Sequence, residues 1–390
     1  MEKARIYLWV TVFLSVLSLE VASTGVSAAE SKQEQTATTR KDTDISQLAQ
    51  QLWQEFFSVD ARFRQEGIFR DGSPNRYRYR IRLRMGGNFP INSKVNLGFR
   101  MVTGATDDPT TGNVDLDNYF SKKGFNLDRL FLRYTPSQSL TITMGKFPNP
   151  FEHVELVFHN DVQLEGAAQQ LRMKDIGFIN QVQLNLGQFV LDEIKSRPDT
   201  NLFAGQLFAE GFYFNGLSFG AMLYEYRNAD NIAQAIEEGR LGGGDTNTRL
   251  GAGTGTSTYL SGFRTIEGLV KHEFEIASVP LWLLGAYAQN LLADSDDKAY
   301  WTEIGAGPIS RLGQLRALYH YVWVERESMI SNYNNADIFN PNTHGHELKF
   351  VLPLEKNISI EVLYFIAKDI IVSNTNPYQH KTRLQLKVKF

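Results

Sequence analysis

Between positions 76 and 85 the chain reads R-Y-R-Y-R-I-R-L-R-M, an unbroken period of two. Side chains of an extended strand alternate faces, so Arg76, Arg78, Arg80, Arg82 and Arg84 share one side, opposite Tyr77, Tyr79, Ile81, Leu83 and Met85. In a bilayer, arginine on the lipid face near the midplane costs about 2–4 kcal/mol, so this register turns the arginines inward. The flanking segments repeat the pattern. Arg62 and Arg64 oppose Val59, Ala61 and Phe63, and Asn96 and Arg100 oppose Val95, Leu97, Phe99 and Met101.

The two ends of the chain indicate where such strands fold. A basic start, Met-Glu-Lys-Ala-Arg, precedes an apolar run over 6–19 and the small-residue site Val26-Ser27-Ala28-Ala29, the pattern of a secretory signal peptide over 1–28 cleaved after Ala28 or Ala29. Glu20 ends that run well short of the roughly 20 apolar residues a spanning helix needs. No later stretch qualifies and mean hydropathy is -0.29, which excludes an α-helical membrane protein. A secreted soluble protein and an outer-membrane barrel both remain, because barrels hide their hydrophobicity in alternation. The C-terminus favours the barrel: in K-T-R-L-Q-L-K-V-K-F, Leu384, Leu386, Val388 and the terminal Phe390 share one face, and Arg383, Gln385, Lys387 and Lys389 the other. This resembles the terminal strand of bacterial outer-membrane barrels, which ends in an aromatic that the assembly machinery reads, and the resemblance makes Phe390 the expected assembly signal.

The expected fold is all-β, a transmembrane antiparallel β-barrel of about sixteen strands over 57–390. It follows a polar linker over 29–56, in which Asp44 caps a short helix running to about Phe56. The strands expected are 57–66, 76–88, 94–105, 126–135, 140–147, 164–173, 180–191, 201–212, 217–227, 259–273, 280–291, 299–307, 313–325, 345–353, 358–368 and 381–390. Connections after even-numbered strands are short, such as 135–139 and 354–357. Those after most odd-numbered strands are long, such as 106–125, 148–163, 228–258 and 326–344. Outer-membrane barrels alternate short periplasmic turns and longer outer loops in this way.

In a closed barrel the last strand pairs with the first, which brings Arg383, Lys387 and Lys389 to the wall already holding Arg62, Arg64, Arg76, Arg78, Arg80, Arg82, Arg84 and Arg100. These are the candidate pore-lining residues. Glu152, Glu155 and Asp161 lie on the connection 148–163, which resembles in position the one that general porins fold inward as a constriction loop, and the resemblance implies that they face the arginines and set a transverse field. A packed lumen in which carboxylates neutralise the arginines is the alternative arrangement.

Several stretches carry a family resemblance: RYRYRIRLRMGG over 76–87, GFRMVTG over 98–104, Leu127-Asp128-Arg129, GKFPNPF over 145–151, and Leu164-Glu165-Gly166-Ala167-Ala168. In these the chain resembles the putative porin family, relatives of the phosphate- and pyrophosphate-selective porins of Gram-negative outer membranes. The resemblance covers about 57–175, and implies a porin-like channel in the outer membrane.

Other functions find less support. The chain has no cysteine, so disulfides, cysteine nucleophiles and thiolate metal sites are excluded. His153, His159 and Asp161 form no known catalytic motif, and the Gly-rich stretch over 239–255 lacks the ending of a phosphate loop, reading instead as a mobile outer loop. With 40 Lys+Arg against 43 Asp+Glu, no nucleic-acid partner is expected. No enzyme activity, cofactor or metal is expected either. The expected function is passive diffusion of small solutes with anion preference, with export of an anionic polysaccharide, and more remotely a barrel-borne lipid-modifying enzyme, as alternatives. Expected partners are outer-membrane lipid and lipopolysaccharide, the barrel-assembly machinery and small anionic solutes, and a homotrimer is left open.

Overall fold

A computed structural model describes residues 56–390, apart from 118, 196, 212–215, 309–311, 335–338 and 373–376. The expected signal peptide, linker and short helix fall on 1–55 and lie outside the described residues.

Among the described residues, sixteen long strands form one antiparallel sheet. They begin with β1 (Phe57–Arg70), β2 (Arg76–Pro90), β3 (Val95–Thr103), β4 (Phe125–Tyr134), β5 (Leu140–Pro148) and β6 (Gln163–Ile176). Next come β7 (Ile179–Asp192), β8 (Thr200–Glu210), β9 (Leu217–Arg227), β10 (Arg264–Ile276) and β11 (Val279–Asn290). The series ends with β12 (Lys298–Ala306), β13 (Arg316–Val324), β14 (Thr343–Glu355), β15 (Ile358–Asp369) and β16 (Gln379–Lys389). Each strand pairs with the next, and β1 also pairs with β16, so the sheet closes on itself with no free edge. Phe390 completes the closure: its N–H donates to Val59 O at 2.9 Å and its carbonyl accepts from Val59 N at 3.2 Å.

Period-two patterning produces this barrel directly. On β1, Phe63 is 53% exposed on the outer surface, whereas its neighbours Arg62 and Arg64 are buried inside. Tyr77, Tyr79 and Met85 on β2, Leu207 on β8 and Leu384 on β16 continue the exposed apolar outer face, as a lipid-facing surface requires. No helix of the described residues is long and apolar enough to cross a membrane.

Connections alternate as the sequence predicts. Two residues join β6 to β7, β10 to β11 and β14 to β15. In the second of these turns Ala277 and Ser278 both hold positive φ, the conformation that matches a two-residue hairpin to strand twist. Asn92 Oδ1 closes the β2–β3 turn by accepting from the N–H groups of Lys94 and Val95. At the other end lie the long segments. The connection between β9 and β10 carries the helix α1 (Asp230–Glu237). The β3–β4 connection returns to the wall, where Val114 and Asp115 pair with Ile81 and Arg80 and continue the ladder that the short β3 leaves open.

Two glycines of the family-like stretches have steric reasons to be glycine. Gly145 and Gly166 face each other across β5 and β6 with φ of +114° and +151°. A Cβ would stand 2.3 Å from Leu130 O at the first and 2.2 Å from Gln188 O at the second. Only glycine takes this backbone so close to a neighbouring strand.

The main departure from the expected strands is at β10, expected from 259 and beginning at Arg264. Tyr259 and Phe263 are instead buried against each other and against Tyr226, in a core the outer connections share.

Candidate functional site

The registers of β16, β1 and β2 arrange the inward charges in rungs. Moving from the short-turn end toward the long loops, the rungs read Lys389–Asp60–Arg84, Lys387–Arg62–Arg82, Gln385–Arg64–Arg80 and Arg383–Glu66–Arg78. Alternate residues of a strand rise by roughly 6.8 Å, which sets the spacing of the rungs. Arg62, Arg64, Arg80, Arg82, Arg383 and Glu66 are all buried.

Charge is matched unevenly over this ladder. Glu66, only 1% exposed, accepts from Arg78 and from Arg383 Nε at 2.6 Å, and lies 3.8 Å from Arg64. Asp60 reaches diagonally to Arg82 Nη2 at 2.6 Å. Asp115, from the returning segment, meets Arg80 at 2.6 Å, Arg76 at 3.7 Å and Arg78 at 3.9 Å. Arg100 pairs with Asp128 across β3 and β4, and Lys387 donates to Glu361 at 2.6 Å. Arg62 differs. It stands opposite Arg82 on one side and Lys387 on the other, and whereas those two pair with Asp60 and Glu361, Arg62 makes no ion pair among the described residues.

The segment between β5 and β6 folds into the lumen. Gln206 on β8 brackets Glu152, its side chain accepting from the backbone N–H at 3.0 Å and donating to the backbone carbonyl at 2.6 Å. Nine residues later Asp161 contacts β2, pairing with Arg84 and lying 3.5 Å from Arg82. One chain segment thus touches walls six strands apart. Of the three acidic residues expected to face the arginines, Asp161 is brought to them. Glu155 instead accepts from Asn160 and lies 3.8 Å from His159, and Glu152 is exposed. Arg76 is also largely exposed, at the outer end of the ladder.

Sequence reasoning missed three groups. Asp60 and Glu66 share the parity of Arg62 and Arg64, and that signal places them on the same wall. A second inward rung, Glu303–His320–Glu347 on β12, β13 and β14, has His320 Nε2 2.9 Å from Glu303 and Nδ1 3.6 Å from Glu347. The third is an apolar core shared by the long connections. Phe151, Leu156, Val157 and Phe158 pack with Ile232, Tyr259, Met329, Ile330 and Phe339, and with inward residues including Phe189, Tyr224 and Trp301. Polar anchors hold it: His159 N–H donates to Tyr333 O at 2.8 Å, and Asn247 Nδ2 donates to Arg326 O and Met329 O. Asn247 lies in the Gly-rich stretch that the sequence presents as a mobile loop, and it is pinned by these bonds.

A family model described as Putative porin matches residues 28–243. The chain belongs to this family. No curated protein matches the sequence of this porin. Among solved structures, it is similar to Pseudomonas putida OprB, with 9% identity, 89% of this chain and 97% of that chain covered, and a TM-score of 0.56. It is also similar to Salmonella typhi OmpF, with 11% identity, 86% and 97% coverage, and a TM-score of 0.51. At such identities the likeness is one of fold. Family and fold place the porin in the outer membrane as a channel-forming barrel.

Proposed function

We propose that this porin is a passive channel for small solutes that prefers anions, and that the wall made by β16, β1, β2 and β3 carries the preference. The observation behind this reading is the rung Lys387–Arg62–Arg82, three cations side by side with no carboxylate in contact with Arg62. Like charges directly opposite each other destabilise a sheet, so the wall keeps this rung at a cost that packing alone gives no reason to accept. Unbalanced positive charge beside a narrow aqueous path raises the local anion concentration and the barrier to cations. Carboxylates hold most of the other arginines in fixed positions, which leaves a smooth, moderately positive wall. We assign Arg62, Arg64, Arg78, Arg80, Arg82, Arg84, Arg100, Arg383 and Lys387 to it, with Asp161 as the opposing acid from the inward segment.

The apolar core between the connections narrows the lumen, which suits small solutes better than a polysaccharide chain. The relationship to phosphate-selective porins is a further part of the proposal, and phosphate is one anion to test. Purified porin in planar bilayers tests the reading. Stepwise single-channel conductance with a zero-current potential on the anion side of a KCl gradient is expected. A cation-side potential overturns the anion preference, and absence of conductance overturns the channel.

A further inference from the structure

At the short-turn end, which faces the periplasm in outer-membrane barrels, strands β13 to β16 line a cavity of about 330 Å3. Arg316 at the start of β13, Lys349 on β14, and Lys387 and Lys389 at the end of β16 bring positive charge to it. Glu361 is already engaged, accepting from Lys387 Nζ at 2.6 Å and from Gln385. Glu355, the other carboxylate of the lining, is exposed. Arg316 is held in place, its guanidinium carbon 4.5 Å from the centre of the Trp282 ring, yet its buried Nε has no acceptor among the described residues. Lys349 is near enough to Glu361 and Lys387 to feel both charges, yet makes no direct ion pair among the described residues.

We infer that this cavity is a binding site for a small multivalent oxyanion. A guanidinium presents a planar fork of donors that matches carboxylate or phosphate oxygens, and stacking on an aromatic ring fixes its orientation in advance. An ammonium on the facing strand supplies a second point charge to the same ligand. The volume is near the lower end of small-molecule sites, which run about 300–1,000 Å3, a size that a compact anion fills. Lys387 links the site to the cationic wall, since it stands opposite Arg62 and also lines the cavity. The inference rests on the anion preference proposed above, because the wall is what delivers anions to this end.

The probe is citrate, a compact tricarboxylate, added to one side at a time while single porin channels carry chloride. Citrate on the short-turn side is expected to reduce the chloride current with a saturating concentration dependence. In Arg316→Gln/Lys349→Gln the half-blocking concentration is expected to rise at least tenfold, with the sign of the zero-current potential in a KCl gradient unchanged. Lys349→Gln alone, which removes no ion pair, is expected to give a smaller rise and covers the case in which the double variant fails to fold. Absence of saturable block, or equal block in wild type and folded variants, overturns the site and leaves anion preference standing. A cation-side zero-current potential in the wild type overturns the preference and the site together.

Discussion

Arg62 and Arg82 stand directly opposite each other across the β1–β2 ladder, both inward and both buried, and only Arg82 is met by carboxylates, those of Asp60 and Asp161. The pair separates two roles within one wall. Arg82 is locked in a network, whereas Arg62 holds charge that nothing in contact cancels. Removing one therefore has different consequences from removing the other.

Glu66 is the acid that the outer rungs depend on, since Arg64, Arg78 and Arg383 converge on it. Glu66→Gln leaves buried guanidinium groups without their counter-charge. Breaking a buried ion pair costs about 3–5 kcal/mol, so a loss of that order is expected. Denaturant titration, followed by tryptophan fluorescence or by heat-modifiable gel mobility, measures it. Arg62→Gln, in contrast, removes a charge flanked by two like charges and is expected to leave the midpoint unchanged or raised. If the two variants lose equal stability, the pairing scheme is wrong.

Phe158 anchors the inward segment. It is 2% exposed, with its ring 5.5 Å from that of Tyr224 and 6.1 Å from that of Tyr333. Phe158→Ala is expected to cost about 3–5 kcal/mol locally and to loosen the segment. Larger single-channel conductance and added current noise are the predicted readout. Wild-type conductance in the folded variant would mean that this segment does not limit the path.

Phe390 pairs with Val59 through both backbone groups, and the residue is 67% exposed. Phe390→Asp keeps the backbone pairing and removes the aromatic. Insertion is expected to fall sharply, with the chain accumulating in the periplasm. Cell fractionation reads this directly, and normal amounts of folded barrel in the outer membrane would contradict an assembly role for the residue.

Much of this molecule is legible in its sequence because a barrel in lipid enforces a period of two at nearly every strand. The Arg76–Met85 alternation fixes the inward face of β2, and the same parity applied to Phe57–Arg70 also places Asp60 and Glu66 beside the arginines, although cations alone were the obvious signal. What could not be read is what depends on contacts distant in the chain. Asp161 and Glu155 look equivalent in sequence, yet one meets Arg84 and the other turns to Asn160 and His159, a choice made by how the segment crosses the lumen. The core joining Phe158, Ile232, Met329 and Phe339 is built from connections with no periodicity, so no local pattern announces it.

If unbalanced charge on the wall selects for anions, as proposed, charge reversal at Arg62 must move the selectivity of the channel. Arg62→Glu orphans no carboxylate and places an acid between Arg82 and Lys387, so the barrel is expected to fold. The measurement is the zero-current potential of the variant in a KCl gradient, with outward-facing Tyr79→Phe as control. A shift toward cations, larger at 0.1 M salt where the Debye length is about 10 Å than at 1 M where it is about 3 Å, is the predicted result. An unchanged potential in a folded, conducting Arg62→Glu channel would contradict the account, and would return the arginine wall to a packing role.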